Sequence, residues 1–305
     1  MINKLQMYIR DPRFRFSINS KYGLYRFFSD EWYAKRSYKV YNGGKLDLSN
    51  PKTYTEKLQW LMLYDRKPIY TRMVDKYDAK RLVADLIGEQ YIIPTLGVWD
   101  DVEEIDFDKL PDRFVLKCTH DSGSYVICKD KSTLDISKAK KRLKPRLKRN
   151  YYHYCRQWPY KNVPPRIICE AYMEDDQDKE LRDYKFFTFG GVPKVVYIAQ
   201  GRNRGGDARA DFFDMDFQHL DLMIDHEMSD IPPHKPQNFE LMKELAAKLS
   251  KGTPQLRVDF YEVNGRVYFG ELTFFHCGGH KNPRPDKWNE LLGSWTVLPE
   301  RTISD

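Results

Sequence analysis

The sequence has no run of uncharged apolar residues close to the roughly 18 that a membrane-spanning helix requires. Its first residues, MINKLQMYIRDPRFRF, also lack the apolar segment and the small-residue cleavage site of a secretory signal peptide. From these two absences we expect a cytoplasmic protein.

Cysteine, glycine and proline are not abundant either. The 305 residues include five cysteines, an odd number without a CxxC pair, which argues against a disulfide framework and against a structural zinc site. The 17 glycines and 17 prolines are too few for a low-complexity or collagen-like chain. At about 150 residues per domain, this length predicts about two lobes.

The common phosphate-binding motifs are missing. The chain contains no GxxxxGK[ST] sequence and no GxGxxG after a strand, which excludes a P-loop nucleotide site. Any nucleotide must therefore be bound by other residues.

Positive charge is concentrated at the N-terminus. The chain has 51 Lys and Arg against 44 Asp and Glu, a net charge of +7, and residues 1–45 account for all of it with ten basic and three acidic residues. Eight aromatic residues, from Tyr8 to Trp32, are interleaved with these cations. The pattern suits an anionic partner such as the inner membrane surface, a polyanionic glycan or, least of all, nucleic acid. Packed aromatic rings and solvated cations are the simpler alternative.

Short apolar runs bounded by turn residues predict an α+β protein with largely antiparallel sheets. Thr53 and Glu56 form a capping box, and the Gly190–Gly191 and Asn264–Gly265 pairs predict hairpin turns. Helices are predicted over residues 53–66, 75–88, 136–150 and 238–251. Strands are predicted over residues 91–99, 113–118, 125–130, 166–173, 184–189, 192–199, 255–263 and 266–274.

A lysine and a polar loop form the first candidate site. Lys117 ends an apolar strand and faces the loop His120–Ser124, whose small residues would let backbone N–H groups approach a phosphate. The ammonium group would neutralise that phosphate. A solvated lysine at the end of a strand is the alternative.

Two carboxylates in the C-terminal hairpin form the second candidate site. Asp259 and Glu271 lie inside otherwise apolar strands, where a carboxylate needs a partner. A hard divalent cation with oxygen ligands is one such partner, and an ion pair with Arg257 or Arg266 is the other.

The loop of this hairpin decides whether the two carboxylates share a face. With a two-residue Asn264–Gly265 loop and regular pairing, Asp259 and Glu271 would point to opposite faces of the sheet, because side chains alternate along a strand. A three-residue loop that begins at Val263 would bring them to one face. We therefore predict that longer loop, or an equivalent bulge elsewhere in the two strands, with Gly265 at positive φ.

The order of five segments resembles the TupA-like branch of the ATP-grasp superfamily over roughly residues 45–280. These segments are Asp75–Lys76 at a helix start, FVLKCTHDSGS, IICEAYM, LRDYKFFTFGG and RVDFYEVNGRVYFGELTF. The resemblance implies two lobes of largely antiparallel sheet that clasp ATP. The implied division is a short basic, aromatic helical arm over residues 1–70, a small lobe with the phosphate loop over residues 71–172, and a large lobe with the metal-binding hairpin over residues 173–305.

The resemblance also implies ligands for ATP and Mg²⁺. The implied nucleotide-binding residues are Lys76 and Lys117 at the phosphates, His120, Ser122, Gly123 and Ser124 in the phosphate lid, Glu170, Tyr172 and Met173 at the adenine, and Asp183 and Lys185 near ribose or phosphate. Asp259 and Glu271 would bind Mg²⁺. Thr273 stands where the family has an asparagine, and its hydroxyl would be a weaker third metal ligand.

In the better-known relatives, an acid is phosphorylated to an acylphosphate that an amine then attacks. The resemblance thus implies a carboxylate–amine ligase, whose substrates would be an amine or amino acid and a sugar acid of a bacterial surface polysaccharide. The Gly/Arg segment 201–211 predicts a closing lid in which Arg202 or Arg204 stabilises the transferred phosphate. The alternative is a metal-dependent glycosyltransferase that uses the DxD pair Asp214 and Asp216.

Overall fold

The computed structural model describes residues 4–176, 181–200 and 208–301. The helices are α1 (Lys4–Arg10), α2 (Pro12–Lys21), α3 (Asp30–Tyr41), α4 (Tyr54–Tyr64), α5 (Ile69–Val74), α6 (Asp78–Ile87), α7 (Ile136–Leu147), α8 (Tyr151–Cys155), α9 (Phe239–Ser250) and α10 (Lys287–Trp295). The strands are β1 (Thr95–Trp99), β2 (Phe114–Cys118), β3 (Tyr125–Cys128), β4 (Ile167–Ala171), β5 (Asp183–Phe189), β6 (Val192–Gln200), β7 (Arg209–Phe213), β8 (His219–Leu220), β9 (Gln255–Val263) and β10 (Arg266–Thr273). No helix in the described ranges combines the length and the apolar character that crossing a bilayer requires.

Helices α1–α3 and their connections, residues 4–41, pack around shared aromatic side chains. This segment, shorter than the predicted residues 1–70, is called the arm from here on. Asp11 and Ser29 begin α2 and α3 by accepting hydrogen bonds from backbone N–H groups of the first turn. Phe16 is buried between Tyr25 and Tyr33, with ring centroids 4.8 and 5.2 Å away. The N-terminal helices are therefore present as predicted, and part of their aromatic content does pack.

The next helices follow the predicted signals with one exception. The capping box of Thr53 and Glu56 is formed, and Gly88 ends α6 with a φ of 112°. The helix predicted to start at Asp75 instead starts at Asp78 as α6, and a separate short helix, α5, ends at Val74. Asp75 is in extended backbone because its carboxylate accepts from the N–H two residues later and pairs with Arg166 at 2.6 Å.

A four-stranded antiparallel sheet has the strand order β1-β4-β2-β3. One face packs with α7 into a core that includes the fully buried Phe114, Leu116 and Cys169. Because side chains alternate along a strand, Lys117 and Glu170 point to the other face.

A six-stranded antiparallel sheet has the strand order β10-β9-β5-β6-β7-β8. One face packs against α9, where the rings of Phe186 and Phe239 are 5.6 Å apart. The opposite face carries polar residues of β5, β9 and β10. These residues are Asp183, Lys185, Arg257, Asp259, Glu271 and Thr273.

Helices mixed with two antiparallel sheets confirm the predicted α+β class. The predicted Gly190–Gly191 turn joins β5 to β6, and both glycines have positive φ, 58° and 84°. The lobe limits after residues 70 and 172 stay a prediction.

Candidate active site

A cavity of about 200 Å³, which we call the cleft cavity, lies between the polar faces of the two sheets. The loop between β2 and β3 closes one end of it. The structure brings together here the predicted site residues Lys76, Lys117, Ser122, Gly123, Ser124, Glu170, Asp183, Lys185 and Glu271. Strands from both sheets and the loop between β2 and β3 thus contribute charged and polar residues to one cavity.

Glu170 is held between two lysines on the four-stranded sheet. Its carboxylate oxygens lie 2.7 Å from the Lys80 ammonium and 2.5 Å from the Lys117 ammonium. Burial alone would raise the pKa of Glu170, but the two cations outweigh it and lower this pKa to about 2. Lys80 was not predicted, because a lysine on an amphipathic helix such as α6 is normally solvated. The carboxylate keeps acceptor capacity, since each oxygen can accept two hydrogen bonds.

The loop after β2 is tied to the start of α6. The Lys76 ammonium donates to the Asp121 carbonyl oxygen at 2.5 Å, and the Ser124 hydroxyl donates to the Asp121 carboxylate. Gly123 has a φ of 80°, which a residue with a side chain rarely adopts. The loop is therefore braced in a shape that exposes its small residues to the cleft cavity.

His120 is the predicted loop residue that the structure does not bring to the cleft cavity. Its ring is buried, and Nε2 lies 3.1 Å from the Arg146 carbonyl oxygen of α7. Burial lowers the pKa of this imidazole. In the structure His120 anchors the loop to α7.

The C-terminal hairpin corrects the predicted loop but confirms the predicted bulge. The loop has two residues, Asn264 and Gly265, with φ of 50° and 71°, so the three-residue loop was wrong and the positive φ of Gly265 was right. The pairing shifts at Gly270, which places Glu271 directly opposite Asp259. A β-carbon on Gly270 would lie 3.1 Å from the Asp259 carbonyl oxygen, so the close approach favours glycine. Both carboxylates consequently face the cleft.

Arg257 occupies the space between these carboxylates. It lies two residues before Asp259, on the same face, and forms two hydrogen bonds with that carboxylate at 2.7 and 2.8 Å. It also lies 2.7 Å from Glu271 and donates to Nδ1 of His276 at 2.8 Å. Lys185 pairs with the same Asp259 from β5. Arg257 therefore forms the predicted ion pairs with both carboxylates.

The electrostatics of Glu271 follow from this arrangement. Burial would raise its pKa, but Arg257 and Lys185, followed by more distant lysines, lower it to about 2. Its side chain keeps 41% of its surface exposed, whereas that of Asp259 keeps 1%. Glu271 is thus ionised and open to the cleft, while Asp259 is enclosed by cations.

The donor set fits a magnesium ion that arrives with phosphates, not one held by the protein alone. No cluster of three or more His, Cys, Asp or Glu side chains suited to a metal occurs within the described ranges. Glu271 and Asp259 supply carboxylate oxygens on one face, and the Thr273 hydroxyl lies 3.3 Å from Glu271. Protein sites for Mg²⁺ commonly use one or two carboxylates plus substrate phosphates.

A second cavity of about 400 Å³, which we call the tyrosine cavity, adjoins the cleft cavity. The two share Asp121, Ser122 and Glu271 in their walls. Rings and hydroxyl groups from several separate segments make up much of the remaining wall. They belong to Ser17, Ser20, Tyr33, Tyr41, Tyr151, Tyr154 and Tyr160. Sequence patterns gave no sign of this cavity, because its walls come from distant parts of the chain.

The end of the tyrosine cavity near the hairpin carries polar groups. Arg257, Thr273, His276 and His280 line it. Burial lowers the pKa of His280 to about 4, so its ring is neutral, and its Nε2 atom has no hydrogen-bond partner among the described residues. A buried acceptor or donor without a partner is available to a ligand.

Comparison with known sequence families establishes the relationship of the chain. Residues 56–297 match the family described as TupA-like ATPgrasp. The chain belongs to the TupA-like ATP-grasp family. The matched range contains every described residue that lines the cleft cavity, but it excludes the arm residues of the tyrosine cavity.

Several solved ATP-grasp ligases resemble this TupA-like chain at low identity. D-alanine–D-alanine ligase from Bacillus anthracis complexed with ATP is 16% identical with a TM-score of 0.38, over 66% of this chain and 53% of that one. The ATP-grasp ligase PsnB, complexed with minimal precursor, Mg and ADP, is 11% identical with a TM-score of 0.38, over 72% and 57%. D-alanyl-alanine synthetase A from Vibrio cholerae is 11% identical with a TM-score of 0.43, over 79% and 67%. The chain thus spans between about half and two thirds of their lengths, and no curated protein sequence matches it.

Two further residues predicted from the ATP-grasp resemblance, Tyr172 and Met173, do not line the cleft cavity. Tyr172 follows β4 and stacks under Arg113, whose guanidinium carbon is 4.4 Å from the ring centroid. Met173 is half-buried beside it. Arg202 and Arg204 lie outside the described residues.

The DxD pair of the glycosyltransferase alternative forms a turn in this ATP-grasp protein. Asp214 accepts hydrogen bonds from the backbone N–H groups of Asp216 and Gln218 at 2.9 and 2.8 Å. It thereby shapes the connection between β7 and β8, at the edge of the six-stranded sheet opposite β10. The site residues of the two alternatives are therefore far apart along the sheet.

Proposed function

We propose that the protein is an ATP-dependent carboxylate–amine ligase that works through an acylphosphate. The observation that carries this proposal is the junction of the two cavities. A cavity whose wall carries three lysines suited to phosphates adjoins, at Asp121, Ser122 and Glu271, a larger cavity suited to a second substrate. An acid bound in the tyrosine cavity would meet the terminal phosphate of ATP at this junction.

In the proposed reaction, a carboxylate oxygen of the acid attacks the γ-phosphorus of ATP, and the bond to the bridging oxygen breaks to release ADP. The amine nitrogen then attacks the acyl carbon, the carbon–oxygen bond to phosphate breaks, and the amine loses a proton. Lys76, Lys117 and Lys185 line the cleft cavity, where they would offset the charge of the phosphates. The chain acts mainly by positioning and by electrostatic stabilisation.

Magnesium is assigned to the carboxylate pair on the hairpin. Glu271, with Asp259 behind it and Thr273 beside it, would hold the ion against the phosphate oxygens. When bound, Mg²⁺ offsets phosphate charge and orients the oxygens for in-line transfer. Binding by Asp259 requires that its ion pairs with Arg257 and Lys185 loosen.

Arg257 joins the proposed catalytic groups because it lines the tyrosine cavity beside Glu271. A buried guanidinium at the junction of the two cavities is placed to bind the carboxylate of the acid or the phosphoryl group in transfer. Arg202 and Arg204 keep the predicted lid role as a further proposal.

The acid substrate is proposed to be a sugar acid of a bacterial surface polysaccharide, joined to an amine or amino acid. The tyrosine cavity offers aromatic faces and hydroxyl groups to a polyhydroxylated ring, and Arg257 offers one cation to one carboxylate. Burial raises the pKa of Tyr33 and of Tyr41, the latter to about 12, so both phenols stay neutral hydrogen-bonding groups. A cavity of about 400 Å³ lies within the usual range for small-molecule sites.

Hydroxylamine trapping tests the acylphosphate directly. The protein is incubated with Mg·ATP, hydroxylamine and a panel of uronic acids, uronic-acid oligosaccharides and amino acids, and hydroxamate and ADP are measured. We expect hydroxamate with uronic acids, lost in Glu271→Gln and retained in Glu244→Gln, which changes an exposed side chain of α9.

Two results would overturn the proposal. Calorimetry that detects no binding of Mg·ATP would remove the nucleotide role of the cleft cavity. Turnover of a UDP-sugar that Asp216→Ala abolishes would establish the glycosyltransferase alternative instead.

A further inference from the structure

The inner side of the arm lines the tyrosine cavity, whereas its outer side is exposed to solvent. On the inner side, Ser17 and Ser20 of α2 and Tyr33 and Tyr41 of α3 line the tyrosine cavity. Phe16 completes the packing of that side. Tyr25 stacks on Phe16, whereas several other aromatic side chains of the arm are exposed to solvent.

Five exposed apolar side chains between residues 22 and 32 of the arm are called the outer patch. The patch consists of Tyr22, Leu24, Phe27, Phe28 and Trp32. Phe27 is 97% exposed, and Tyr22 is 73% exposed. The rings of Phe28 and Trp32 stack on each other at 4.0 Å, and both remain exposed. A group of large apolar side chains left in water marks an interaction surface.

Exposed cations flank this patch. Lys21 directly precedes Tyr22, and Arg26 directly precedes Phe27. Helix α1 repeats the pattern with Ile9, which is 64% exposed, followed by the exposed Arg10. No carboxylate lies within 4 Å of these three cations in the part of the chain that the structure describes.

The acidic residues of the arm are all engaged elsewhere. Asp11 caps α2, and Asp30 is bridged to Arg66 and Arg156 at 2.6 and 2.9 Å. Glu31 pairs with Lys35 at 2.5 Å. The outer side of the arm therefore presents apolar tips surrounded by net positive charge.

We propose that the outer patch docks the protein on an anionic lipid bilayer, with its apolar side chains in the interfacial region and its cations on the lipid phosphates. Aromatic rings with a flanking basic residue are suited to this interface, where one end of a side chain is apolar and the other is wet. Two weak signals, insertion and charge, together give stable but reversible binding.

The same helices then connect the membrane to the tyrosine cavity. Trp32 of the patch and Tyr33 of the cavity wall are neighbours on α3. Docking through the patch holds this wall close to the bilayer surface. A substrate attached to a membrane lipid could then reach the cavity without leaving the membrane.

Vesicle flotation with the full chain, without nucleotide, tests the docking and is independent of any ligase activity. Vesicles of phosphatidylglycerol and phosphatidylcholine are compared with vesicles of phosphatidylcholine alone. We expect binding to the anionic vesicles that weakens as salt rises. The variant Leu24→Ser/Phe27→Ser should bind at least about tenfold more weakly.

The matched control changes two apolar residues outside the arm whose average exposure is close to that of Leu24, at 56%, and Phe27, at 97%. Ile231 is 78% exposed and Val297 is 74% exposed, so Ile231→Ser/Val297→Ser removes similar surface. This control should bind anionic vesicles as the wild type does. Equal losses in the two double variants would overturn the docking site.

The charge contribution has its own variant. Lys21→Gln/Arg26→Gln should weaken binding and flatten its dependence on salt, and Lys109→Gln, at an exposed lysine, should do neither. Equal binding to neutral and anionic vesicles would overturn the anionic part of the proposal.

Concentration-dependent dimers that disappear in Leu24→Ser/Phe27→Ser, without vesicle binding, would show that a second copy covers the patch instead.

Discussion

The cleft cavity and the tyrosine cavity meet at three residues, yet they are built in opposite ways. In the cleft cavity, most charged side chains come from adjacent positions of paired strands, and Glu170 and Glu271 are both engaged by cations. In the tyrosine cavity, neutral rings come from α3, from α8 and from the segment after it. Strand pairing can place charges for phosphates by itself, whereas a shaped cavity for a second substrate needs separate elements packed around it.

The two cavities also differ in their relation to the family. The range matched to the TupA-like ATP-grasp family begins at residue 56, so the cleft cavity is contained in it. Ser17, Ser20, Tyr33 and Tyr41 precede that range. If the two cavities have separate roles, changes in one should leave the binding function of the other intact.

The largest effect is expected from Arg257→Met at the junction. Asp259 is 1% exposed and pairs with two cations, Arg257 and Lys185. Removing Arg257 leaves it with Lys185. Loss of one partner of a buried ion pair costs about 3–5 kcal/mol, to be measured by urea unfolding. Hydroxamate formation should fall by about 10²–10³-fold. Arg257→Lys, which keeps a charge, should recover part of the stability, and wild-type stability in Arg257→Met would contradict the ion cluster.

The second effect concerns Glu170 in the cleft cavity and the loss of folding stability at acid pH. The pKa of Glu170 is about 2 in the folded chain against an ordinary value of 4.5, so between these pH values the unfolded chain binds more protons. Stability should therefore be complete above pH 4.5 and should fall as the pH drops towards 2, with Glu170 contributing on the order of 3 kcal/mol to that loss.

The variant that isolates this contribution is Glu170→Gln. It removes the titrating group, so its unfolding free energy should depend less on pH in this window. Glu290→Gln, at an exposed position of α10, serves as the control and should keep the wild-type profile. Parallel profiles for Glu170→Gln and the wild type would rule out the Lys80–Glu170–Lys117 cluster as the source.

In the tyrosine cavity, a smaller effect is expected from Tyr41→Ala. The Tyr41 ring lines the tyrosine cavity and stacks on His280 at 4.7 Å. We expect the KM for the acid to rise about tenfold, as for the loss of one aromatic contact, while the Kd for Mg·ATP stays unchanged. Tyr22→Ala, on the same arm but outside the cavity, should change neither. A weaker affinity for ATP in Tyr41→Ala would break the proposed separation of the cavities.

The smallest effects are expected at the DxD turn. Asp214→Ala removes two hydrogen bonds to backbone N–H groups and should lower stability by about 1 kcal/mol. Asp216→Ala, at an exposed carboxylate, should leave both stability and hydroxamate formation at wild-type levels. Loss of hydroxamate formation in either variant would place the chemistry at this turn, away from both cavities.

Local sequence patterns were sufficient to predict the structure wherever a short segment determines its own backbone geometry. The capping box at Thr53, the glycine stop at Gly88 and the two hairpins all follow from the conformations that their residues prefer. Lys117 lines one cavity with Ser122, Gly123 and Ser124, because a strand end followed by a glycine turn defines where these residues lie.

The hairpin of β9 and β10 shows what local sequence patterns cannot predict. Two carboxylates in apolar strands could be identified from the sequence, and so could the need for a register change. Only the structure located that change at Gly270, because the loop alone allows either register and packing against β5 selects one.

The sequence by itself determined most of the described helices and strands, though not α5, α8, α10, β7 or β8, and the charge of the arm. It also supplied the candidates for a phosphate site. Only the tertiary structure decided that Arg257 lies between Asp259 and Glu271, that Lys80 reaches Glu170, and that the arm divides its aromatic rings between a cavity and the solvent. The physical reason is that these contacts join residues distant in sequence. Their energies depend on burial and on the positions of partner charges, which exist only once the sheets and helices have packed.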